Sequence, residues 1–137
     1  MNTQPSTPLT VDYYSGAYGP TIHIALNSIE QVATLYGILR SLAKGDSTEV
    51  DLQALPEIRL SGLRQFFLNA NCGDDAASKS LTVVTDNAPV ARWCQSRDGW
   101  QRSAGLVEAF LDDDRPGHQY LTREGVDDAI VEVAYKE

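Results

Sequence analysis

The sequence predicts an α+β domain, a two-layer sandwich with two amphipathic helices packed on one face of a mostly antiparallel sheet. Three observations predict it. Apolar residues recur at helical spacing in two stretches, 28–44 and the stretch that opens at Asp98. Short β-rich runs surround both, and most follow one another through polar turns, which favours antiparallel neighbours over βαβ crossovers. The last third, 96–137, reads as a capped helix feeding a hairpin, a complete packing unit for the strands before it.

Residues 1–9, rich in Pro, Thr, Asn and Gln, read as a flexible tail. Residues 10–137 read as one domain with no internal repeat and no linker. A first strand falls within 9–18, ended by Gly16 and the Gly19, Pro20 turn. A stronger one spans 21–27, with Ile22, Ile24 and Leu26 on one face and His23 and Ala25 on the other. Asn27 or Ser28 then caps a helix whose stripe is Ile29, Val32, Leu35 or Tyr36, Leu39 and Leu42, with Gly45 closing it.

Strands follow at 48–52, 57–60, 63–69, 80–85 and 90–95. The runs 63–69 and 80–85 read as the arms of a hairpin around the polar loop 71–78. In the second helix Asp98 and Gln101 form a capping box, and Trp100, Ala104, Val107 and Leu111 make the apolar stripe, widened by Phe110. Gly105 costs such a helix about 1 kcal/mol relative to Ala, for which close approach to the sheet is the simplest reason. Arg115, Pro116 and Gly117 stop it, and strands at 117–122 and 129–135 close the chain around a loop with Gly125.

The content is 42% hydrophobic and 22% charged, ordinary for a globular chain, so charge is the feature that discriminates. Nineteen acidic against eleven basic residues give a net charge of −8, which argues against nucleic acid and anionic membrane as partners. A basic protein partner is compatible with it. The N-terminus has neither a basic n-region nor an apolar h-region, and no run is long enough to span a membrane. Cys72 and Cys94 make no CxxC pair and have no nearby His, so neither a metal site nor a cofactor is expected. Two reduced thiols in a cytoplasmic protein is the plain reading.

No phosphate loop, dinucleotide fingerprint or nucleophile elbow is present, so no catalytic residue is assigned. His118, close in sequence to Asp112, Asp113 and Asp114, has the composition of a general base with a carboxylate, but no nucleophile stands beside it. The structural alternative has it opening a strand and bonding a carbonyl. The three aspartates oppose the dipole of the helix they end and lack EF-hand spacing. Trp100 belongs to the helix stripe, whereas the face taken by Trp93 is open, which leaves it as a partner anchor. Tyr13, Tyr14 and Tyr18 crowd a Gly-rich segment that either contacts a partner or caps a sheet edge.

The segments Gly117-His-Gln-Tyr-Leu-Thr122 and Val131-Glu-Val-Ala-Tyr-Lys-Glu137 resemble those of small bacterial proteins. Some of these are similar in size and charge to the immunity proteins of toxin systems. The resemblance covers the last third and implies binding and neutralising a cognate toxin. The expected function is therefore a non-catalytic acidic protein that binds a basic protein partner. Its candidate contacts are Trp93, Asp112, Asp113, Asp114, His118, Tyr120, Asp127 and Asp128. The alternative is a small-ligand protein or enzyme with a pocket around His118, Tyr120 and His23. The final strand, 129–135, reads as a sheet edge blunted by Glu132 and Lys136, giving a monomer or weak homodimer.

Overall fold

A computed structural model describes residues 7–72, 80–85, 88–122 and 126–137. In chain order the elements are β1 (Leu9–Gly16), β2 (Gly19–Leu26), α1 (Ile29–Lys44), β3 (Glu49–Asp51) and a 3-10 turn (Leu52–Ala54). There follow β4 (Ile58–Ser61), β5 (Gln65–Asn69), β6 (Leu81–Val84), β7 (Val90–Cys94), α2 (Arg97–Asp112), β8 (Gly117–Tyr120) and β9 (Ile130–Tyr135). The α+β class holds. Most of the tail, most of the 71–78 loop and Gly125 lie outside the described residues.

The strands form two mixed sheets, one of order β4-β1-β2-β9-β8 and one of order β3-β5-β7-β6. Pairs β1–β2, β3–β5, β6–β7 and β8–β9 are antiparallel. Pairs β1–β4, β2–β9 and β5–β7 are parallel. The expected hairpin of β5 with β6 does not form, because β7 inserts between them. Nor is β9 an edge: it lies between β2 and β8, with Ile22 opposite Val131 and Ile24 opposite Val133. Two buried neighbours explain why its inward residues are all apolar.

An internal order emerges that the sequence hides. The run hairpin, helix, strand, strand occurs twice, as β1-β2-α1-β3-β5 and as β6-β7-α2-β8-β9, with β4 added to the first. Each run gives its last two strands to the sheet of the other, since β3 and β5 lie with β7 and β6, and β8 and β9 lie with β2 and β1. Both helices have 16 residues and both have serine N-caps, Ser28 bonding Gln31 N and Ser96 bonding Gly99 N. The second cap is Ser96, not the expected Asp98, because Ser96 holds the extended backbone of a cap while Asp98 already lies in the first turn. Buried Val32, Leu35, Leu39 and Leu42 of α1 match buried Trp100, Ser103, Val107 and Phe110 of α2. These pairs share position, not side chain, so no repeat shows in the letters.

The inward faces of both sheets and both helices share one core. Trp100 of α2 meets Trp93 of β7 with ring centroids 4.8 Å apart, and Phe110 one helix-length later meets Tyr135 of β9 at 5.5 Å. The helix thus spans from one sheet to the other. The helices are tied by Tyr36 donating to Glu108 (2.6 Å) and Arg40 donating to Gln101 (2.8 Å). At the outer end of β1, Gly62 (φ 82°) passes so close that a Cβ there would lie 2.4 Å from the Tyr13 carbonyl oxygen. No other residue type fits that conformation and that gap.

Two further expectations are overturned. Gly105 makes no close approach: a Cβ there, or at the matching Gly37 of α1, would meet nothing within 4 Å. Gly37→Ala and Gly105→Ala are therefore each expected to stabilise the fold by about 0.5–1 kcal/mol, read as a raised urea midpoint. The cysteines are not reduced thiols either. Cys72 and Cys94 form a disulfide with Cα atoms 5.6 Å apart. The parallel pairing of β5 with β7, which sets Asn69 opposite Cys94, brings the two cysteines within bonding range.

Candidate functional site

Pairing across the five-stranded sheet lines up Ser61, Asp12, His23, Glu132 and Tyr120 in one row. The next row is Arg59, Thr10, Ala25, Ala134 and His118. Both rows point away from the core, because they alternate with the inward Val11, Ile24 and Val133. Among the described residues no helix covers this face. It gathers both histidines of the chain, three carboxylates (Asp12, Glu132 and Glu137) and the exposed Tyr14 (47%) and Tyr120 (52%).

Glu132 is the hub. Its Oε1 lies 3.2 Å from His23 Nε2, and Tyr120 stands opposite it across the β8–β9 ladder. The Glu132 carboxylate holds the Tyr120 hydroxyl above its ordinary range, with loss of solvent adding to it. Tyr18, in the turn between β1 and β2, is 82% exposed, and it and Glu137 raise the Tyr120 hydroxyl a little further. His118 Nδ1 stands 2.9 Å from Glu137 Oε1, and its ring meets Tyr120 edge-on with centroids 5.3 Å apart.

The sequence-derived candidates separate into four groups. His118 and Tyr120 lie on this face, at its β8 end. Asp112, Asp113 and Asp114 lead into β8 at the end of α2 and are exposed, with Asp113 paired to Arg115 (3.1 Å) and Asp114 to Lys136 (3.0 Å). Asp127 and Asp128 instead brace the other sheet. Asp127 Oδ1 accepts from Ser80 N (2.7 Å), Ser80 Oγ (3.0 Å) and Leu81 N (3.0 Å), and Asp128 Oδ2 accepts from Val83 N (2.9 Å). Trp93 is 1% exposed, so it is a core residue and offers no surface to a partner. Among the described residues its Nε1 has no acceptor, whereas Trp100 Nε1 donates to Asn69 O at 2.9 Å.

Sequence reasoning missed Asp12, Tyr14, Glu132 and Glu137 as members of the face. The β1–β2 hairpin brings Asp12 and Tyr14 to the face of His23, whereas Glu132 gets there only through the pairing of β2 with β9, strands more than a hundred residues apart. Glu137 meets His118 beside the β8–β9 ladder. A pocket does open near the start of α1, lined by Thr7, Leu9, Asn27, Ser28, Gln31 and Glu57 among others. Its central polar group, Gln31, is already bonded to Asn27 N (2.7 Å) and Thr7 O (2.8 Å). His23, His118 and Tyr120 are not in its lining. Among the described residues no three His, Cys, Asp or Glu side chains converge as metal ligands. No helix there is long and apolar enough to cross a membrane.

Tyr135 and Asp114 give a pH signature beside the face. The Tyr135 ring is fully buried while its hydroxyl donates to exposed Asp114. That bond first, and Lys136 second, hold the Asp114 carboxyl below its usual range, and the same bond raises the Tyr135 hydroxyl. A lowered carboxylate stabilises the fold above its unfolded value near pH 3.9 and loses that contribution as pH falls through the folded value. A raised tyrosine contributes below about pH 10 and loses its contribution as pH rises through the folded value. Tyr135→Phe and Asp114→Asn are each expected to flatten the urea midpoint on both the acid and the alkaline limbs, Asp114→Asn the more fully on the acid side because Tyr135→Phe leaves Lys136 in place. Part of the alkaline limb persists in both, where Tyr36 and Tyr120 are raised by Glu108 and Glu132.

No family model matches the chain, and neither the curated proteins nor the solved structures contain a match to it.

Proposed function

We propose that this is a non-catalytic binding protein that takes a basic protein partner on the open face of the five-stranded sheet. The observation that carries the reading is the uncovered face itself, where Tyr14, Tyr18 and Tyr120 stand exposed among Asp12, Glu132 and Glu137. Tyrosines supply rigid contact area with little rotamer entropy to lose, and carboxylates steer a cationic partner and set its register. Nothing on the face pairs a nucleophile with a base inside a pocket, so binding is favoured over catalysis. The net charge of −8 and the resemblance to immunity proteins both support neutralisation of a toxin by occlusion. The charge also opposes tight self-association, in keeping with a monomer or weak homodimer. The Cys72–Cys94 bond supports an oxidising compartment over the cytoplasm read from the sequence.

The test begins with capture of the partner from the source organism and measurement of its association at several salt concentrations. The association rate is expected to fall steeply as ionic strength rises, and Tyr120→Ala to weaken binding by roughly tenfold or more. An association rate indifferent to salt, with affinity indifferent to Tyr14, Tyr18 and Tyr120, would overturn the reading.

A further inference from the structure

The two sheets have four terminal strands, β4, β8, β3 and β6, and they are not equally open. In β6 the bond from Cys94 N to Ser80 O sets the parity: even-numbered residues bond β7, and Leu81 and Val83 face outward. Those outward groups are taken. Asp128 N donates to Leu81 O (3.0 Å), Asp127 Oδ1 accepts from Leu81 N, and Asp128 Oδ2 accepts from Val83 N. β3 is only three residues long and turns directly into the 3-10 turn, with Asp51 accepting from Gln53 N. β4 presents Arg59, a cation.

β8 differs. Leu121 N donates to Val131 O at 2.8 Å, so Gln119 and Gly117 bond β9 while the N–H and C=O of His118 and Tyr120 face outward. Among the described residues no backbone partner meets them. Exposed edges of this kind are normally blunted by shortness, an inward charge, a proline or a bulge; β8, at four residues, is short but contains none of the other three. Its flanks are acidic: Asp112, Asp113 and Asp114 precede it, Glu132 lies under Tyr120, and Glu137 meets His118. Two cations, Arg115 and Lys136, are each already paired to an aspartate.

We infer that β8 is a strand-addition edge, and that the partner supplies an extended segment with basic side chains that pairs with His118 and Tyr120. This rests on the binding reading above and adds where and how the partner engages. Backbone pairing gives the affinity, and alternate side chains of the added strand reach the carboxylates of the open face. A second copy of this chain is the poorer occupant, because it would bring like charges of −8 together and set Glu132 and Glu137 against their own kind.

The experiment uses the whole chain with a blocked peptide of alternating Lys and Val about six residues long, the length of an ordinary strand. A Glu and Val peptide serves as the control. Amide exchange followed by NMR is expected to show fast His118 and Tyr120 N–H groups in the free protein and a slow Gln119. The Lys peptide is expected to protect His118 and Tyr120 and the Glu peptide to leave them fast. Tyr120→Lys, which keeps the β8–β9 ladder, is expected to weaken the Lys peptide by about tenfold or more. His118→Pro removes one outward N–H and is expected to do the same. Absence of peptide binding, or protection at β3 or β4 instead, would overturn the inference. So would edge protection that grows with protein concentration alone, which would assign the edge to a second copy. Should the captured partner respond to Tyr14 and Tyr18 variants but not to Tyr120→Lys or His118→Pro, the edge fails and the face stands. The reverse pattern keeps the edge and removes the face.

Discussion

Reducing the Cys72–Cys94 bond is expected to cost about 3 kcal/mol of stability, the entropy released when a loop of this length opens in the unfolded chain. The two cysteines are 22 residues apart in sequence, and the bond joins the segment after β5 to the last residue of β7. Urea unfolding with and without reductant reads the effect directly. Cys72→Ser and Cys94→Ser should each reproduce the reduced midpoint and lose all further response to reductant. An unchanged midpoint on reduction would mean that the loop is held as firmly by other contacts. The pairing of β5 with β7 should survive reduction, because Phe66, Leu68, Ala91 and Trp93 bury their side chains without help from the bond.

Asp127→Ala should be the most damaging of the acidic substitutions, at about 2–4 kcal/mol. One carboxylate oxygen there accepts from two backbone N–H groups and one hydroxyl of residues 80 and 81. Charge-assisted bonds contribute about 1.5–3 kcal/mol each, and partial access of water returns some of the loss. Asp127→Asn keeps an acceptor oxygen and should cost roughly half as much. Asp112→Ala and Asp113→Ala, on an exposed helix end, should leave the midpoint within about 0.5 kcal/mol. The contrast separates bracing from binding. A stable Asp127→Ala protein that no longer held a partner would return that residue to the interface.

How much of this the sequence shows depends on distance along the chain. The strands and both helices are legible because alternation and helical spacing are local, and Ser28 and Gly45 mark the ends of α1 as caps should. Pairing is not local. Nothing in residues 63–69 announces that β7 rather than β6 lies beside them, since a parallel neighbour and a hairpin partner ask for the same apolar alternation. Trp93 stayed open for the same reason: its face follows from the partner strand, and the structure sets Leu68 and Leu81 on either side of it. His118 and Tyr120 could be noticed as unusual polar residues at the start of a strand. Their company, Glu132, Glu137 and Asp12, comes from other strands and had no signal at all. Asp127 and Asp128 looked like surface charge because composition does not reveal which backbone groups a carboxylate will meet.

The exchange of final strands between the two runs also fixes an order of events during synthesis. β2 is complete by Leu26, yet its parallel neighbour β9 begins only at Ile130. Through all the intervening residues the growing chain carries a sheet that ends at β2, and the inward Ile22, Ile24 and Leu26 lack the neighbour on their β9 side. The four-stranded sheet suffers less, since β5 and β7 emerge close together and can pair before α2 is made. The open edge of β2 therefore waits for the last strand of the chain, and the first hairpin is the part most in need of protection from other chains.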